Sequence, residues 1–106
     1  FAPMKISNGN TIISDKFELF QNYPNPFNSQ TIIKYQIPFS TNIRFSLHDF
    51  LGRCISSKIL VNLYPGTHQF ILDALELNLS SGIYFIQLSL TEQSSFTMTK
   101  SIVYIK

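Results

Sequence analysis

The chain has 106 residues, of which 44% are hydrophobic and 13% charged, with a formal net charge of +2. That balance excludes a disordered chain and suits one domain with a sizeable core. The basic residues are scattered from Lys5 to Lys106, so they form no stripe for nucleic acid, and no run is long and apolar enough for a membrane-spanning helix.

The lone cysteine, Cys54, leaves no internal disulfide. It fits a reducing compartment, or a secreted domain that stands without staples. The chain begins at Phe1 with no basic-then-apolar leader, and is read as a piece of a longer protein.

Residues 1–16, FAPMKISNGNTIISDK, read as a tether punctuated by Pro3 and Asn8-Gly9. From Phe17 the pattern changes. Short apolar runs of period 2 recur between turn signals, which predicts an all-β sandwich or barrel. Phe17 to Phe20 is a short first strand. In Thr31 to Ile37, Ile33, Tyr35 and Ile37 share a face. In Asn42 to His48, Ile43, Phe45 and Leu47 point one way. Asp49 to Gly52 is a hairpin turn with Gly52 at positive φ, and its register sets Leu47 opposite Ile55 and His48 opposite Cys54.

The next strand runs from Arg53 to about Val61. Tyr64-Pro65-Gly66 is a second turn, after which His68, Phe70 and Leu72 share a face. Ala74 to Leu79 suits a single helical turn, and Ser80-Ser81-Gly82 is a third turn. Tyr84, Ile86, Leu88 and Leu90 then lie together. Thr91 to Ser95 turn the chain into a final strand, Phe96 to Ile105. The expected fold is an immunoglobulin-like β-sandwich of about seven antiparallel strands, without the Cys–Trp–Cys core of antibody domains.

Reactive chemistry is sparse. His48 and Cys54 pair on an outer face with no third group, which reads as two surface side chains rather than a nucleophile or metal site. His68 reads as a core histidine bonded to a carbonyl. The carboxylates Asp15, Glu18, Asp49, Asp73, Glu76 and Glu92 sit in different segments with no calcium-loop spacing. The glycines at 52, 66 and 82 form no phosphate loop. No catalytic residue, cofactor, metal or small-molecule substrate is expected.

The most unusual segment is Phe20 to Asn28, FQNYPNPFN. Pro24 and Pro26 suggest an extended, polyproline-like strap. Asn22, Asn25 and Asn28 would bond nearby backbone, and Phe20, Tyr23 and Phe27 would pin the strap to the sandwich.

Phe17-x-Leu19-x-Gln21-Asn22-Tyr23-Pro24-Asn25-Pro26-Phe27-Asn28, followed by Thr31-x-Ile33-x-Tyr35-x-Ile37-Pro38, resembles the opening of the type A C-terminal sorting domain of the type IX (Por) secretion system. Further landmarks follow in order: Asp49-x-Leu51-Gly52-Arg53, Pro65-Gly66-x-His68, Ser81-Gly82-Ile83-Tyr84-Phe85, and Thr99-Lys100-x-x-Val103-x-Ile105-Lys106. Ser29 stands where the family carries a further proline, Leu72 where a tryptophan is common, and Ser101-Ile102 where a Lys-Met pair is usual.

The resemblance implies a non-catalytic export label carried by diverse proteins of the Bacteroidetes. It implies transit through the periplasm and then release to the cell surface or medium. The implied partners are the type IX translocon, outer-membrane shuttle proteins and a sortase-like cysteine peptidase that removes the domain. On this reading Pro24, Asn25, Pro26, Gly82, Tyr84, Lys100 and Lys106 carry recognition. The cut falls in the tether, among Ser7, Asn8, Gly9, Asn10, Asp15 and Lys16, and the sorting domain is residues 17–106. Strand pairing through the edge of the final strand would give a weak homodimer. The alternative is a carbohydrate-binding or spacer module, with Phe50, Tyr64 and Phe85 as surface aromatics.

Overall fold

A computed structural model describes residues 16–91 and 97–106. Its strands are β1 (Glu18–Leu19), β2 (Gln30–Ile37), β3 (Thr41–Asp49), β4 (Cys54–Leu63), β5 (Gly66–Asp73), β6 (Gly82–Leu90) and β7 (Thr97–Tyr104). They form a three-stranded sheet, β1-β2-β5, and a four-stranded sheet, β4-β3-β6-β7, with every strand pair antiparallel. This is the expected β-sandwich of seven strands. The tether residues 1–15 and most of the last turn, residues 92–96, lie outside the described residues.

Alternation builds the core. Ile33, Tyr35 and Ile37 of β2, Ile43, Phe45 and Leu47 of β3, and Tyr84, Ile86, Leu88 and Leu90 of β6 are all buried. Successive side chains of a strand point to opposite faces, so these sets meet between the sheets. Phe45 lies 4.9 Å from Tyr35 and 4.7 Å from Phe70, ring centre to ring centre, and knits the two layers together.

One hairpin expectation changes. Gly52 does have positive φ, and His48 does oppose Cys54, but Leu47 opposes Ser56 rather than Ile55. The register shifts between Leu47 and His48, so an extra residue, Ile55, is taken up as an irregularity. The sheets also differ in width. The three-stranded sheet leaves β4 overhanging, and no residue of β4 is buried. The expected turn at Tyr64 to Gly66 carries the chain from one sheet to the other.

Residues 74–78 form turns rather than a regular helix, with one helical-type bond from Leu77 N to Asp73 O at 3.2 Å. The Asp73 carboxylate accepts bonds from Leu75 N at 3.0 Å and Gln30 Nε2 at 3.1 Å. The Gln30 bond in particular holds this carboxyl below its usual pKa.

Candidate functional site

The strap does not run as a polyproline helix. Its chain bends through Pro24 to Pro26 between two bridges, Tyr23 to Ile32 and Phe27 to Tyr104, and the Tyr23–Pro24 and Asn25–Pro26 peptide bonds are cis. The bend is organised by Asn22, which is buried. Its amide nitrogen donates to Thr31 Oγ1 at 2.9 Å and to Pro24 O at 3.1 Å. Thr31 Oγ1 donates to the same carbonyl at 2.8 Å, and Gln21 Nε2 donates to Asn22 Oδ1 at 2.7 Å. A buried amide needs partners, and here it finds them in the strap itself and in β2.

The aromatic rings divide. Phe27 alone is fully buried, 5.2 Å from the Tyr104 ring. Phe20 is half-buried, and Tyr23 is 77% exposed, so it does not pin the strap. Beyond Phe27, the strap attaches to β7 along its outer edge. Phe27 N donates to Val103 O at 3.0 Å, and Ile105 N donates to Phe27 O at 2.9 Å. Asn25 Oδ1 accepts from Val103 N at 2.9 Å, and Gln21 Nε2 donates to Ser101 O at 2.8 Å. The side chains thus supply ladder bonds that the prolines lack.

Most of the expected recognition residues gather at this corner. Pro24 and Pro26 face a shallow groove of about 460 Å³ that Ile105 and Lys106 complete. Lys106 N donates to Ser81 Oγ at 2.8 Å, and Gly82 pairs with Tyr104. Tyr84 has a structural task nearby. Its hydroxyl donates to Ser80 O at 2.6 Å and accepts from Ser80 N at 3.1 Å, the tyrosine corner that ties the start of this strand in immunoglobulin-like sandwiches.

Lys100 is set apart. It pairs with Ile86 on the core-facing side of β7 and is half-buried. Its stem therefore lies along apolar surface while the ammonium reaches water. The strap, residues 20–28, carries no charged side chain, and the charged side chains of residues 97–106 are both cationic, Lys100 and Lys106. Of the expected cleavage residues, Ser7, Asn8, Gly9, Asn10 and Asp15 lie outside the described residues. Lys16 is exposed, with Nζ 3.8 Å from Glu18 Oε1.

The expected bond from Asn22 to nearby backbone is present, as its donation to Pro24 O. Sequence reading gave Gln21, Thr31, Ser81 and Val103 no part in this corner, because each acts through a partner distant in the chain. The other candidates do not converge. His48 is half-buried, and its Nε2 has no hydrogen-bond partner among the described residues. Cys54 is exposed, its Sγ 3.6 Å from Ser56 O, and no group of metal ligands forms among the described residues. His68 is half-buried at the rim, with Nε2 2.8 Å from Tyr64 O and its ring stacked on Tyr35. Phe50 and Tyr64 sit at opposite ends of β4. Ten residues of strand separate them by roughly 30 Å, too far for one sugar platform.

The Asp49 turn is the second rigid feature. Its carboxylate accepts from Leu51 N and Arg53 N at 2.9 Å each, and from Arg53 Nε at 2.8 Å. Partial desolvation pushes this carboxyl up, but the bonds from Arg53 and Leu51 outweigh it and hold the pKa below its usual value.

In this small β-sandwich the polar detail lies along an edge, in a strap and a final strand. Residues 21–105 match the family of secretion system C-terminal sorting domains, and the chain belongs to that family. It is a sorting signal for type IX secretion, which directs export to the cell surface or the extracellular space through the type IX machinery. The family is one of sorting signals, not of catalysts. No curated protein matches the chain.

Proposed function

We propose that the type IX machinery reads the corner where the strap meets the end of β7. Pro24, Asn25 and Pro26 offer a stiff exposed surface, and Lys106 supplies charge for an acidic partner, with Lys100 contributing from the core-facing side of the same strand. Gly82 and Tyr84 shape the turn beneath. The observation that carries this reading is the bond from Val103 N to Asn25 Oδ1, which joins positions 78 residues apart. A receptor that reads both segments at once accepts only the folded domain.

On this reading the partners are the translocon and outer-membrane shuttle proteins, met in the periplasm. Residues 1–16 form a linker ahead of the sorting domain, residues 17–106. A sortase-like cysteine peptidase cuts this linker within Ser7 to Lys16. The polar, Asn8-Gly9-punctuated sequence supports that, because a peptidase needs unpaired chain.

The test is a fusion of residues 1–106 behind a periplasmic signal peptide and a fluorescent protein, in strains with and without the translocon. Surface or extracellular fluorescence is expected only with the translocon. A folded variant combining Pro24→Ala with Lys106→Glu should remain in the periplasm, and its export at the normal level would refute the corner. N-terminal sequencing of the released domain checks the cut, and an intact N-terminus would refute the linker assignment.

A further inference from the structure

We propose that the strap is an edge plug: it takes the place of a further strand beside β7 and keeps that edge from pairing with a second copy of this chain. The proposal stands on packing alone and does not depend on the export assignment. β7 runs beside β6 in unbroken register from Gly82–Tyr104 to Ser89–Thr97. Its other edge therefore presents N–H and C=O groups at alternate residues. At Ser101, Val103 and Ile105 these groups meet the strap: Ser101 O, Val103 N, Val103 O and Ile105 N each have a strap partner at 2.8–3.0 Å.

What the strap covers is the most pairing-prone stretch of the strand. Ser101 to Ile105, SIVYI, is uncharged, β-branched and aromatic, and free of proline and glycine. Such a segment on an open edge is a template for another chain. Lys100 and Lys106 flank it as charged gatekeepers. In an antiparallel self-pair centred on Val103, Lys100 of each copy would face Lys106 of the other, and the like charges oppose the pair. The strap and the two lysines thus act against one event. The strap blocks it sterically, and the lysines raise its electrostatic cost.

The test uses the full chain and two side-chain changes, one near-isosteric and one a truncation. Gln21→Glu removes the donor to Ser101 O, and Asn25→Ala removes the acceptor for Val103 N. Asn25→Asp keeps that acceptor. In the unaltered protein the Val103 and Ile105 amides should exchange hydrogen roughly tenfold or more slowly than the Thr99 amide on the same edge. Equal rates would overturn the proposal at once.

The Gln21→Glu/Asn25→Ala protein should self-associate with rising concentration in sedimentation. It should do so more strongly in high salt, which screens the lysines. Asn25→Asp should stay monomeric, and a free FQNYPNPFN peptide in excess should dissolve the dimer. A folded double variant that stays monomeric at every concentration and salt would refute the plug. Should the double variant unfold, Asn25→Ala alone carries the same test, since Asn25 is exposed.

Discussion

At one edge of the four-stranded sheet, β7 lies under the strap. Its core-facing residues Ile102 and Tyr104 are buried, and its outer groups at Val103 are satisfied. At the other edge, no strand among the described residues pairs beyond β4, and none of its residues is buried. The strands differ in how they resist pairing. β7 is regular and apolar at its end, so it needs a lid. β4 is interrupted by register shifts near both ends, and its Lys58 pairs with Phe45 and so sits on the core-facing side. Breaks in register and inward-pointing charge blunt an edge without any cover. Residues of similar hydrophobicity therefore serve different ends: Ile102 holds the fold together, while Ile59 only decorates it.

Several changes would break or sharpen this contrast. The largest effect is expected from Phe27→Ala, which removes the ring that pins the strap against Tyr104. It should cost about 3–5 kcal/mol in a urea titration. A cost under about 1 kcal/mol would mean the strap is not part of the core. Next comes Asn22→Leu, which strips the buried amide from Thr31 and Pro24. It should cost about 1–3 kcal/mol and loosen the Tyr23–Ile32 bridge in hydrogen exchange.

Tyr84→Phe keeps the buried ring but loses both bonds to Ser80, and about 1 kcal/mol should follow in thermal melting. If export of this variant falls while its melting is unchanged, Tyr84 acts in recognition and not as a corner. For Asp49, the folded pKa is lowered, so its stabilising contribution is full above the unfolded carboxylate value. That contribution is lost as pH falls through the lower folded value. Asp49→Asn should remove this part of the acid dependence, read by following the Leu51 and Arg53 amides in an NMR titration. The smallest effect is expected at the uncovered edge. Ile59→Ala, at a residue 51% exposed, should shift stability by no more than about 0.5 kcal/mol. A clear loss there would show that β4 is covered after all.

Legibility in the sequence follows the same division. The inward faces of β2, β3 and β6 could be read directly, because alternation at Ile33, Tyr35 and Ile37 is a local property of the chain. So could the turn at Gly52. The strand at β4 could be read too, but not its exposure, which follows from the neighbouring sheet being one strand narrower. Leu47 meeting Ser56 had no local signal either, because one residue of bulge moves every partner beyond it. At the site, the prolines and asparagines marked FQNYPNPFN as special, and the order of landmarks pointed to the sorting family. Neither showed that Asn25 would bond a residue near the other end of the chain.

The amino-acid sequence by itself determined that this chain would be a β-sandwich, where most strands would fall, and which family it belongs to. These rest on period-2 patterning, turn residues and motif order, all encoded within short windows. Only the tertiary structure decided that the strap bends instead of extending, that it bonds to the edge of the final strand, and that no strand among the described residues pairs beyond β4. Those outcomes depend on hydrogen bonds between distant segments and on the relative width of two sheets, and no local window of sequence contains them.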